Sequence, residues 1–255
     1  MNSFILGIQA SLLAGLATFV GALPVVLTQK LSQRAITVLL GFGGGVMLAA
    51  TAFSLIIPGT EVALAKGFSN PVAALVMAIG LTIGGAFLAV AHRLFPHEHF
   101  VKGKDGSSNL ARVWLFIIAI ALHNFPEGLA VGVSFGGDNV QQGIITAIGI
   151  SLQNMPEGLI VAVSLVAEGY TVAYALGISL LTALVEPIGG VIGVSVVSLA
   201  QFILPWALAF AAGAMLFVIC DEIIPETHQR GKEHEGTIGI IAGFLVMMVL
   251  DIAFS

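Results

Sequence analysis

Long apolar runs, nearly free of charge, follow one another almost from end to end of this chain. A run of about 18 or more such residues is long enough to cross hydrocarbon as a helix, which satisfies its own backbone hydrogen bonds. Of the 255 residues, 58% are hydrophobic and 9% are charged, whereas a soluble domain carries roughly 25% charge. Short alternating segments of the kind that build membrane barrels are absent. The 31 glycines suit close helix packing in lipid, where small residues let backbones approach. The expected fold is therefore an all-α polytopic membrane protein.

Eight spans are expected, at about residues 4–27, 35–57, 72–94, 113–135, 142–166, 172–199, 206–224 and 237–254, forming one transmembrane domain over residues 1–255. The second is expected to stop at Pro58-Gly59. The N-terminus lacks a basic region and cleavage site, so the first run is read as a true span. Basic residues set the orientation. Lys30 and Arg34 lie between spans one and two. Arg93, Lys102, Lys104 and Arg112 surround the third loop, and Arg230 and Lys232 lie in the last. Those loops share one side, and only Lys66 falls on the other. The positive-inside rule then puts both termini outside the cytoplasm. The expected location is the plasma membrane, the inner membrane of a bacterium. A single cysteine, Cys220, excludes an internal disulfide. The net charge of −5 says little about partners, because much of the acid lies within the spans. The partners expected are lipid and a small cation, with no nucleic acid.

The chain also repeats itself. Ser11–Gly21 aligns with Ser179–Gly189, and Gly45-Val46-Met47-Leu48 aligns with Gly213-Ala214-Met215-Leu216. Both of the latter spans end in Ile-Ile-Pro. Spans one and two thus match spans six and seven. An odd offset of five inverts direction through the membrane, which implies an inverted 3+2+3 repeat. Transporters place their substrate on such an axis, beside broken helices.

The residues that carry chemistry lie in the middle of two spans. His123-Asn124-Phe125-Pro126-Glu127-Gly128 is echoed by Gln153-Asn154-Met155-Pro156-Glu157-Gly158. His123 and Glu127 are four apart and share a helix face, as do Gln153 and Glu157. Pro126 and Pro156 each remove a helical hydrogen bond, and the distortion lets Asn124 and Asn154 turn toward the same cavity. Glu186, before Pro187, is a third acid at membrane depth. An ionisable group there is functional by default. No Lys or Arg occupies the middle of a span to neutralise these acids. Facing carboxylates repel unless they share a proton or a cation. Carboxylates, imidazole and amide oxygens suit Zn²⁺, Fe²⁺, Mn²⁺ or Cd²⁺, and Met47 adds a soft donor. Asp221, Glu222, Glu226 and His228, with His97 and His99, are expected to receive the ion on the cytoplasmic side. Asp251 is expected at the membrane interface.

These features resemble the ZIP (Zrt-/Irt-like) metal transporters, most of all their bacterial GufA-like branch. The resemblance covers nearly the whole chain. It implies a binuclear site between spans four and five. The first metal position would use His123, Glu127, Gln153 and Glu157, with Met47. The second would use Asn124, Glu127, Asn154, Glu157 and Glu186. It also implies inward transport, an elevator-like movement of spans one, four, five and six, and a homodimer. The chain departs from the family pattern in carrying neutral amides at Gln153 and Asn154, where many members have histidine or an acid. No catalytic cofactor and no enzyme activity are expected. A zinc protease would need His-Glu-x-x-His, and span four reads otherwise. A proton-coupled carrier of another solute is the remaining alternative.

Overall fold

The computed structural model describes residues 3–28, 30–94, 109–136, 140–228, 231 and 233–254, with the backbone alone for 109–120. Every regular element among them is helical. The helices are α1 (Ser3–Ala22), α2 (Gln33–Ala65), α3 (Asn70–Leu94), α4 (Asn109–Ser134), α5 (Val140–Ala167), α6 (Val172–Leu199), α7 (Gln201–Thr227) and α8 (Glu233–Phe254). Among the described residues, all of these except α4 are long and apolar enough to cross a bilayer. Helix α4 has 26 residues and contains the first motif.

Three helices are irregular where the sequence places proline. Helix α2 does not stop at Pro58 but continues to Ala65. Pro58 cannot donate to the Ser54 carbonyl, and a π-helical stretch over Ala50–Ile56 absorbs the mismatch. Helix α7 repeats the device: a π-helical stretch at Ile219–Ile223 precedes Pro225, and the helix continues to Thr227. Such π-stretches cluster at functional sites. Helix α6 breaks at Leu184, just before Glu186 and Pro187.

Polar residues close the ends. Ser32 caps α2 by accepting from Ala35 N–H at 3.1 Å, and Thr171 caps α6 by accepting from Tyr174 N–H at 3.2 Å. Helix α5 ends at Gly169, whose φ of +93° favours glycine. The Tyr170 N–H then reaches back to the Leu165 carbonyl, satisfying an otherwise free acceptor.

The packing falls into two groups: α1, α4, α5 and α6, and α2, α3, α7 and α8. The dominant pairs are α1 with α5, α4 with α6, α2 with α8 and α3 with α7. Exchanging α1 with α6, α2 with α7, α3 with α8 and α4 with α5 maps this pattern onto itself. The two groups meet where α2 touches α5 and α4 touches α7, and these contacts also exchange. The neighbour pattern therefore carries the same two-fold relation as the sequence repeat.

Glycine makes the close pairs. A Cβ on Gly45 would lie 2.0 Å from the Ile240 carbonyl oxygen, and one on Gly84 would lie 2.0 Å from that of Phe210. Gly41 lies against Gly236, and Gly45 against Ile240, so α2 and α8 run parallel. At one end Arg34 pairs with Glu235 at 3.3 Å, and toward the other Ser54 donates to Asp251 at 2.6 Å. Asp251, near the end of α8, is buried within the protein against the π-helical stretch of α2.

Candidate metal centre

Both motifs lie in the first group, midway along α4 and α5, with the proline inside the helix in each case. The glycine that closes each motif brings a third element to it. The Cβ position of Gly128 falls 1.9 Å from the Glu186 carbonyl oxygen on α6. That of Gly158 falls 1.9 Å from the Thr18 carbonyl oxygen on α1. Each proline-glutamate step is therefore clamped against the helix that the two-fold relation assigns to it.

The side chains of His123, Asn124, Glu127, Gln153, Asn154 and Glu186 are all buried, and Glu157 is half-buried. Gln153 Nε2 donates to Glu127 Oε1. Asn154 Nδ2 donates to Glu186 Oε1 at 2.7 Å and to the Ala14 carbonyl at 2.8 Å. Asn124 Nδ2 donates to the Thr182 carbonyl at 2.9 Å. Four oxygens of this group have no hydrogen-bond partner: Asn124 Oδ1, Glu127 Oε2, Gln153 Oε1 and Glu186 Oε2. Buried unpartnered oxygens cost about 1–3 kcal/mol each, more when charged, so a cluster of them calls for a ligand. Glu157 lies within electrostatic reach of Glu127 and Glu186. The sequence's three acids therefore share one region, and Met47 is buried in the adjoining core.

His123 lies within electrostatic reach of Glu157 and also reaches across to the second helix group. Its Nε2 lies 2.7 Å from Glu222 Oε2 on α7, a contact between the two helix groups. Among the described residues, no three His, Cys, Asp or Glu side chains are arranged to hold one metal ion. Any metal held here must draw on the amide oxygens as well, or on a rearrangement that frees His123.

Residues 96–251 match the family described as ZIP Zinc transporter. The chain is 48% identical over 251 residues to Zinc transporter GufA of Myxococcus xanthus, covering 98% of this chain and 99% of that protein. The chain belongs to the ZIP family. It is also 42% identical over 241 residues to Zinc transporter ZIPB of Bordetella bronchiseptica, covering 94% and 78% of the two chains. Against Zinc transporter ZIP11 of Homo sapiens the identity is 32% over 321 residues, covering 93% and 94%.

In this ZIP protein the cluster expected on the cytoplasmic side is divided. Glu222 is buried and bridges two histidines, His123 and His92, the latter at 2.9 Å. Asp221 is half-exposed, with its carboxylate 3.6 Å from His92 Nδ1. His228 turns away, 3.0 Å from the Ile224 carbonyl and 3.3 Å from the Thr237 hydroxyl. Glu226 is half-buried. His97 and His99 lie outside the described residues. His92 escaped the sequence reading. It sits at the end of α3, inside the third span, so His123 is not the only intramembrane histidine. It lies five positions before His97 and inside the expected third span, and no local motif marks it as functional.

Proposed function

We propose that this ZIP protein carries a divalent transition metal, zinc above all, into the cytoplasm through a two-metal site between α4 and α5. The metal is cargo, and no catalytic chemistry is assigned. The observation that carries this reading is the set of buried, unpartnered oxygens on Asn124, Glu127, Gln153 and Glu186, gathered in the middle of lipid-spanning helices. The names of the GufA, ZIPB and ZIP11 relatives support zinc as the ion.

His123, Glu127, Gln153 and Glu157, with Met47, form the first position. Asn124, Glu127, Asn154, Glu157 and Glu186 form the second. Gln153 and Asn154 direct amide N–H groups onto Glu127 and Glu186. Those bonds shield the carboxylates from each other. Rotating either amide by half a turn presents its oxygen to a cation instead. His123 holds Glu222 through Nε2 while lying within electrostatic reach of Glu157. Because that contact joins the two helix groups, loading is coupled to their relative movement. Eight crossings with both termini outside fit the parallel run of α2 and α8. The Arg34–Glu235 pair, which draws the starts of α2 and α8 to one end of the bundle, supports the same reading.

Radiolabelled zinc uptake into proteoliposomes, with cadmium, iron and manganese as competitors, tests the proposal. His123→Ala is expected to weaken zinc binding more than manganese binding, because imidazole favours zinc. Equal losses for the two metals would remove His123 from the site. Asn154→Asp places a carboxylate against Glu186 and the Ala14 carbonyl, where the amide now donates. The metal-free protein should lose stability, and zinc should raise its melting temperature by more than it raises that of the parent. An unchanged zinc response would place Asn154 outside the second position.

A further inference from the structure

The two-fold relation pairs each residue of the centre with a mate, and one mate has gone unused. Aligning Ser11–Gly21 with Ser179–Gly189 sets Thr18 of α1 opposite Glu186 of α6. The structure respects that pairing closely. Gly158 lies on Thr18, and Gly128 lies on Glu186. The Ala14 carbonyl accepts from Asn154, and the Thr182 carbonyl accepts from Asn124. Thr18 is four residues after Ala14, as Glu186 is four after Thr182, so each stands one turn beyond the carbonyl that holds an asparagine. Gly15, on the same face of α1, would bring a Cβ within 3.2 Å of Glu186 Cβ.

Thr18 is completely buried, and its hydroxyl has no hydrogen-bond partner. That is unusual for a helical hydroxyl in this fold. Thr37, Thr51, Thr146 and Ser179 each donate to the carbonyl four residues earlier. Thr18 does not, and the carbonyl it would use, on Ala14, already accepts from Asn154. The oxygen that the two-fold relation places beside it, Asn124 Oδ1, is likewise buried and unpartnered.

We propose that the Thr18 hydroxyl is a further oxygen donor to the divalent cation, on the α1 side of the second position. The two-fold relation sets it on the Asn124 side as Glu186 is set on the Asn154 side, but without the hydrogen bond that joins Asn154 to Glu186. The site is then built symmetrically in position and asymmetrically in charge: an anionic oxygen from α6 and a neutral one from α1. A neutral donor completes the cation's shell without adding a fourth carboxylate to Glu127, Glu157 and Glu186. The ion is thereby held less tightly and leaves more readily. This inference rests on the two-metal reading above.

The test uses the purified full-length protein in detergent, titrated with zinc alone by calorimetry, and compares Thr18→Val, Thr18→Ser and Glu127→Ala. Valine keeps the shape and removes the oxygen. Serine keeps the oxygen and removes the methyl group. Losing one oxygen contact to a charged partner corresponds to about a tenfold weakening, expected for Thr18→Val at one of the two zinc equivalents. Thr18→Ser should bind as the parent does. Parent-like binding by Thr18→Val would overturn the proposal. So would equal losses in both Thr18 variants, which would make the role one of packing. If Glu127→Ala also keeps both zinc equivalents, the two-metal reading itself fails. If Glu127→Ala loses them while Thr18→Val does not, only the role of Thr18 falls.

Discussion

Glu127→Ala is expected to reduce zinc uptake into proteoliposomes by more than about a hundredfold, since removing even an outer-shell partner of a bound metal typically costs 10–100-fold. Glu127 belongs to both proposed positions, its side chain is wholly buried, and one of its oxygens is unpartnered. The same substitution should leave the metal-free protein at least as stable as the parent. A buried acid with no cation beside it opposes folding, and Glu127 lies near two more, Glu157 and Glu186. Removing it leaves Gln153 without its carboxylate acceptor, a smaller loss that Gln153 can recover through Asn154 Oδ1, now 3.4 Å away. Two melting curves decide the matter. Without metal, Glu127→Ala should melt at or above the parent temperature. With zinc, the parent should gain stability and the variant should not, because only an ion bound to the folded state shifts the equilibrium. Intact uptake, or an equal zinc-induced shift in both proteins, would refute the role given to Glu127.

What the sequence made legible was whatever depends on neighbours along the chain. The two motif copies announce themselves by spacing, and the buried acids by the apolar residues around them. The helix repeat is visible in Ser11–Gly21 and Ser179–Gly189, and the structure places those segments in equivalent surroundings. What stayed hidden depends on contacts between distant segments. The partner of Asp251 is Ser54, 197 positions earlier, and no local pattern announces that pairing. His92 carries no local signal, and only the approach of α7 brings Glu222 to it. Pro58 looked like a stop, but a π-helical stretch adds the slack that lets α2 continue. At Pro58 the local signal was read correctly and then overridden by packing.

The second large effect concerns the glycine rather than the glutamate of the motif. Gly158→Ala is expected to destabilise the protein by about 3 kcal/mol or more, at the upper end of the cost of overpacking. The added methyl would stand 1.9 Å from the Thr18 carbonyl oxygen and 2.7 Å from its carbon. These are backbone atoms and cannot rotate aside, so α1 and α5 must separate. Gly128→Ala meets the same obstacle at Glu186 on α6, again at 1.9 Å. Two other glycines serve as internal controls. A methyl at Gly43 meets nothing closer than 3.8 Å, and one at Gly177 meets nothing within 4 Å. Both alanine variants should fold and melt like the parent, since a Gly-to-Ala change in a helix otherwise favours the helix. If Gly158→Ala and Gly128→Ala melted with those controls, close backbone contact would not be what these glycines provide. If instead they lose stability together, each motif has two separable parts. The glutamate stands among the polar groups of the centre and answers to zinc, while the glycine faces the neighbouring helix and fixes how far that glutamate stands from α1 or α6. The second variant pair should then lose stability in the absence of zinc as much as in its presence, which no ligand residue would do.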